Sequence, residues 1–140
     1  MKNYYSWLII ALATSGILPL TGKENSEHPM TAIYAIAEKI KNDKTDANRT
    51  KKAQELAEMV RLESAEVIPG ELIKLLADLL QDRDDSVRYW AATSLGYLGP
   101  KALKTISALQ NALNERAGND SSKSSASAIR LALERIQRSR

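Results

Sequence analysis

The side chains of this sequence that are capable of chemistry are carboxylates in short runs, scattered serines and one imidazole. Asp82-Arg83-Asp84-Asp85 places three acids within four positions, and Asp43 and Asp46 form a sparser version upstream. Paired carboxylates can share a proton or hold a metal, but that work needs further groups converging on them from elsewhere in the chain. His28 is the one histidine, and it stands in a polar stretch before the first helix. A lone linker imidazole makes neither a metal set nor a triad. Cysteine is absent, which removes disulfides, thiolate nucleophiles and Cys-based zinc sites. Ser121-Ser122 and Ser124-Ser125 have no base or orienting partner nearby. The six glycines are scattered and form no phosphate-binding loop. The sequence predicts a non-enzyme, with no cofactor and no metal.

What remains is recognition chemistry. Ser86, Tyr89, Thr93 and Tyr97 fall on one side of a helical wheel drawn at about 100° per residue, with Trp90 on its flank. Val87, Ala91, Leu95 and Leu98 centre the opposite, buried side. Tyrosines on an outer face beside a Trp are the residue types that anchor protein interfaces. The same residues have a second reading, in which Trp90 packs between neighbouring units and the tyrosines lie along an adjacent helix.

The elements that must position these residues repeat. Residues 40–49 overlay residues 79–88 at an offset of 39, matching Asp43 with Asp82, Asp46 with Asp85 and Arg49 with Arg88. At the same offset Ile33, Ile36 and Ile40 meet Leu72, Leu75 and Leu79, while Ala53, Leu56 and Met59 meet Ala92, Leu95 and Leu98. A third copy follows at 37 to 38, with Leu109, Leu113, Ile129, Leu133 and Ile136 at the corresponding apolar positions. Each copy predicts two helices, a leucine-rich A and a thinner, Ala-rich B, joined by a polar turn. Asp85 or Ser86 is expected to cap the second B helix, and Gly99-Pro100 to end it. Pro29 and Pro69 mark helix starts. No segment alternates with period two, so the expected class is all-α.

Residues 67–102 resemble a HEAT repeat of the short bacterial type. The likeness is carried by Pro69, the leucines of helix A, Asp82, Asp85, Val87, Arg88, Ala91, Ala92, Leu95, Gly96, Leu98 and Gly99. The flanking copies depart from the pattern, with Asn48 in place of the Val and Ser125 and Ala126 where Val87 and Arg88 fall. The resemblance implies a short right-handed solenoid of about three antiparallel helical hairpins over residues 30–137. It also implies that Asp82, Asp85 and Arg88 form a structural ladder between neighbouring units, with Val87, Leu95 and Gly99 as framework. It further implies macromolecular binding along the B-helix surface. HEAT-like hydroxylases that bind two irons need paired His-Glu motifs, which this sequence lacks. Carried along the repeat, the outer face runs from Thr50, Gln54 and Glu58 through the aromatic positions to Ser127, Leu131 and Arg135. The candidate binding residues are therefore Tyr89, Trp90, Thr93, Tyr97 and Arg135.

The start of the chain has a different character. Lys2 precedes an uncharged run, Trp7–Leu20, which ends in a polar stretch. That order is the order of a secretory signal peptide, and the run is short for a membrane span. Cleavage after Gly22 is expected, and a lipobox is broken by Lys23 where the lipidated cysteine would stand. The layout predicted is signal peptide 1–22, polar linker 23–29, helical repeat domain 30–137 and basic tail 138–140, in a periplasmic or secreted protein. Lys101–Arg140 holds eight cations against three acids, whereas Lys23–Pro100 holds eleven against fourteen. Such an asymmetry suits an acidic partner or an anionic surface, or is simply a solvated terminal helix. The expected partner is a protein and not nucleic acid, with membrane association only if the N-terminal segment is retained. An immunity protein against an envelope-delivered toxin and an anchored, membrane-proximal scaffold are the alternative roles.

Overall fold

A computed structural model describes residues 29–45, 47–115 and 125–138. The expected signal segment, residues 23–28 of the linker with His28, Asp46, loop positions 116–124 and tail positions 139–140 lie outside the described residues. Every regular element among those described is helical. The helices are α1 (Pro29–Asn42), α2 (Arg49–Leu62), α3 (Gly70–Leu79), α4 (Asp85–Leu98), α5 (Ile106–Asn114) and α6 (Ser125–Arg138). Two 3-10 segments, Ala65–Val67 and Gly99–Thr105, complete the chain order. None of these helices is long and apolar enough to cross a membrane.

Apolar spacing decides which sides of the helices meet. In α3, Leu72, Leu75, Leu76 and Leu79 recur at three- and four-residue steps and are all buried, as are Ile33, Ala37 and Ile40 of α1. Val87, Ala91, Leu95 and Leu98 give α4 its buried side, and Leu56, Val60, Ile129 and Ile136 contribute from α2 and α6. Leu95 has no exposed surface, and burying a side chain of that size stabilises by about 2 kcal/mol. Leu113 and Leu133, expected among the core positions, are only half-buried against it.

Helix α4 holds the centre. It packs against α2 on one flank, α6 on the other and α3 behind, while α1 lies on α2 and α3. The second 3-10 segment wedges among α3, α4, α5 and α6. Small residues set the spacing of the flanks. A Cβ on Gly96 would stand 3.2 Å from the Ala132 Cα of α6, so the two backbones nearly touch there. Ser94 is fully buried in the same helix, and its hydroxyl is satisfied by donating to the Trp90 carbonyl at 2.8 Å.

The helix ends refine the sequence reading. Asp84, and not Asp85 or Ser86, caps α4: its Oδ1 accepts from the Ser86 amide at 2.9 Å, which leaves Asp85 as the first helical residue. Three acids lie within capping reach, and the extended backbone of Asp84 selects it. Gly99, at φ 51°, ends α4 in the left-handed region, where a Cβ would be strained. The outer boundaries shift by one residue. Helix α1 begins at Pro29, where a missing amide hydrogen costs nothing. Helix α6 runs through Arg138, which pairs with Glu134 one turn back.

Candidate functional site

Two groups of side chains stand apart from the core, and the first is built from the turns. Asp82 ends the turn after α3, and its carboxylate is 1 % exposed. Its Oδ2 accepts from Arg49 Nη2 at 2.5 Å and from Lys44 Nζ at 2.6 Å, both one unit earlier in the chain. Its Oδ1 accepts from the Asp84 amide at 3.0 Å. Burial acts to raise the carboxyl, but the hydrogen bonds from Arg49, Lys44 and the Asp84 amide outweigh it and hold the group at about 2. Arg49 also donates to the Ile40 carbonyl, at 2.8 Å through Nη2, so its fork is spent on one carboxylate and one carbonyl. Thr50 reaches Asp84 at 3.3 Å, and Arg83 reaches back to the Lys44 carbonyl.

The next unit is tied in the same manner with different partners. Arg88 donates to the Asp82 carbonyl at 2.7 Å, to the Asp85 carboxylate, and across to the Ser125 hydroxyl at 3.4 Å. Asp85 in turn accepts from the Ser125 hydroxyl at 2.9 Å and its amide at 3.1 Å, opening α6. Burial pushes the Asp85 carboxyl up, but the Ser125 and Arg88 contacts prevail and leave it below its ordinary value. Carboxylates so engaged are ionised at neutral pH, with their oxygens committed to neighbouring turns. No cluster of three or more His, Asp or Glu side chains among the described residues is placed to hold a metal ion. Asp82, Asp85 and Arg88 are fasteners between successive turns. The local sequence carries no sign of Lys44, Thr50 or Ser125 as partners of Asp82, Asp84 and Asp85, because each contact spans between 34 and 40 residues.

The second group lies on α4 and α6. Tyr89 and Trp90 meet edge to face, with ring centroids 5.0 Å apart and an interplanar angle of 89°. Both are half-buried and rest on the core. The Thr93 hydroxyl is turned inward along its own helix, donating to the Tyr89 carbonyl at 2.9 Å. Tyr97 is half-buried beneath Arg135, whose guanidinium carbon stands 5.6 Å from the ring centroid. On the α2 side, Arg61 donates to Glu58 at 2.8 Å; that carboxylate, with a smaller contribution from Tyr97, raises the guanidinium above its ordinary value. Leu131, in the register of Thr93, is 45 % exposed. The candidate residues thus sit together as two contacting pairs, Tyr89–Trp90 and Tyr97–Arg135. The wheel left two readings of the tyrosines, outward or along a neighbouring helix, and both side chains are half-buried.

A further surface feature lies at the other end of the helix row. An open groove of about 450 Å³ runs between α1 and α2, lined by Ile36, Lys51, Gln54, Glu55, Glu58 and Met59. Its floor is apolar and its rim is charged. Comparison of the chain with protein-family models, with curated proteins and with solved structures finds no match.

Proposed function

We propose that this chain is an exported, non-enzymatic helical-repeat protein that binds another protein in the cell envelope through the outer side of α4 and α6. Its fold in this reading is a short right-handed HEAT-like stack of three helical hairpins, α1–α2, α3–α4 and α5–α6. The observation that carries the binding reading is the Arg135 guanidinium stacked over the half-buried Tyr97 beside the Tyr89–Trp90 pair. Aromatic rings already ordered by their neighbours lose little conformational freedom on binding, and a guanidinium held over a ring is oriented for an acceptor on the partner. The polar groups of the turns support it indirectly, since their saturation leaves them to hold the helices in register.

Capture from an envelope extract, compared between the wild type and two variants, tests this. Tyr97→Ala and Arg135→Ala are expected to abolish the same captured species while far-UV circular dichroism stays unchanged. If both variants retain the species at wild-type yield, the surface is not the binding site. Export is tested separately by the intact mass of the protein recovered from the envelope, expected to begin at Lys23; retention of residues 1–22 would mean an anchored protein instead.

A further inference from the structure

The groove between α1 and α2 has an internal counterpart. Thirty-nine residues beyond Ile36, Glu55 and Met59 stand Leu75, Ser94 and Leu98. Those three are 6 %, 0 % and 2 % exposed. Gly96 fixes the flank of α4 that meets α6, and Ser94, about 200° away on the wheel, faces the opposite flank, where α2 packs. Leu75 likewise borders α1, alongside Tyr34, Glu38 and Lys41. The counterparts of Lys51, Gln54 and Glu58 are Trp90, Thr93 and Tyr97, half-buried toward the outer side of α4, so the rim of the groove continues that side. Its floor repeats, on the first helical pair, the surface that this pair covers on the second, and it is open among the described residues.

We propose that this open face is covered by a second copy of the chain, with the two α2 helices antiparallel about a two-fold axis. The charges on the rim select that arrangement. Antiparallel α2 helices centred near Gln54 set Lys51 opposite Glu58 of the partner subunit and Gln54 opposite Glu55 of the partner subunit. The reciprocal contacts follow from the symmetry, so each pair forms twice. A parallel arrangement would instead oppose Lys51 to its own image and Glu55 to its own image, which is repulsive. Head-to-tail stacking of α6 on α2 would leave the same groove open on the last copy and grow without closure. The two-fold arrangement buries Ile36 and Met59 on every copy, sets Lys51 against Glu58 of the partner subunit and gives Glu55 the neutral Gln54 as its neighbour. Because Gln54 and Glu58 also border the outer side of α2, the dimer joins the α4 surfaces of two copies into one longer face.

Sedimentation velocity on the protein as the cell produces it, at low ionic strength, reads the outcome. The wild type is expected to show a monomer–dimer equilibrium that weakens with added salt. Lys51→Glu or Glu58→Lys alone should each weaken dimerisation about tenfold or more, at unchanged helicity. An equimolar mixture of the two variants should regain wild-type association, because both contacts between positions 51 and 58 in the mixed dimer again join opposite charges. A wild type that remains monomeric, or one that grows past the dimer, overturns the proposal. So does a mixture that associates no better than either variant alone.

Discussion

Replacing Asp82 by alanine examines the reasoning about the turns most directly. The carboxylate and its partner Arg49 are both almost wholly buried, at 1 % and 4 % exposure, and separated by 2.5 Å. Truncation removes the acceptor and leaves the guanidinium with the Ile40 carbonyl alone, and orphaning a buried charge costs about 3–5 kcal/mol. An independent route to the magnitude is titration. The carboxyl sits at about 2 against an ordinary 3.8, a difference corresponding to about 2 kcal/mol. The two values differ for a physical reason, since protonation keeps a polar group beside Arg49 whereas truncation leaves nothing. The sign is fixed: a lowered carboxyl stabilises the fold fully above the unfolded value of 3.8, and that contribution disappears as pH falls toward 2. Urea unfolding followed by circular dichroism at pH 7 should therefore show Asp82→Ala destabilised by about 3–5 kcal/mol. Lowering the pH from 4 to 2 should cost the wild type about 2 kcal/mol more than the variant. Combining Asp82→Ala with Arg49→Ala should cost less than the sum of the two, since no buried charge is then orphaned. A loss below about 1 kcal/mol, the value of an exposed ion pair, would refute the account of Asp82 as a buried fastener.

Leu95→Ala, at a position with no exposed surface, should lose about 2–5 kcal/mol in the same urea assay. Gly96→Val should lose about 1–3 kcal/mol by forcing α6 away from the Ala132 contact at 3.2 Å, whereas Gly70→Ala, where a Cβ meets nothing within 4 Å, should leave the thermal midpoint the same or higher. Asp84→Ala should lose about 1 kcal/mol through the uncapped start of α4, and Asp84→Asn should restore most of it.

Much of the helical framework is legible in the chain because it depends on local periodicity. The leucines of α3 and the alanines of α4 mark which sides turn inward, and Pro69 and Gly99 mark where helices begin and end. The cap of α4 was less legible: Asp82, Asp84 and Asp85 are chemically equivalent in sequence, and only backbone geometry distinguishes the capping acid from the two that reach other turns. Lys44, Thr50 and Ser125 could not be found locally, since each acquires its role from a turn tens of residues away. The pairing of Tyr97 with Arg135 was visible only as a shared position in the repeat. The wheel orders residues around one axis and says nothing of neighbouring helices, so it left open how far Tyr89 and Tyr97 are exposed. The meaning of the α1–α2 groove came from setting Glu55 beside Ser94, the same position in two units with opposite burial.

The fasteners also bear on how such a chain could change length. Arg49 belongs to one unit and Asp82 to the following one, so the joint between the first two units is completed by an acid reaching backward and a base reaching forward. A gene segment of 39 codons spanning one unit carries both halves of that joint. Duplicated in tandem, it would supply the new unit with an acid for its predecessor and a base for its successor, with no compensating change elsewhere. Inheritance of that joint is thus indifferent to how many copies of the segment are added, and the chain is free to gain a unit in a single genetic event.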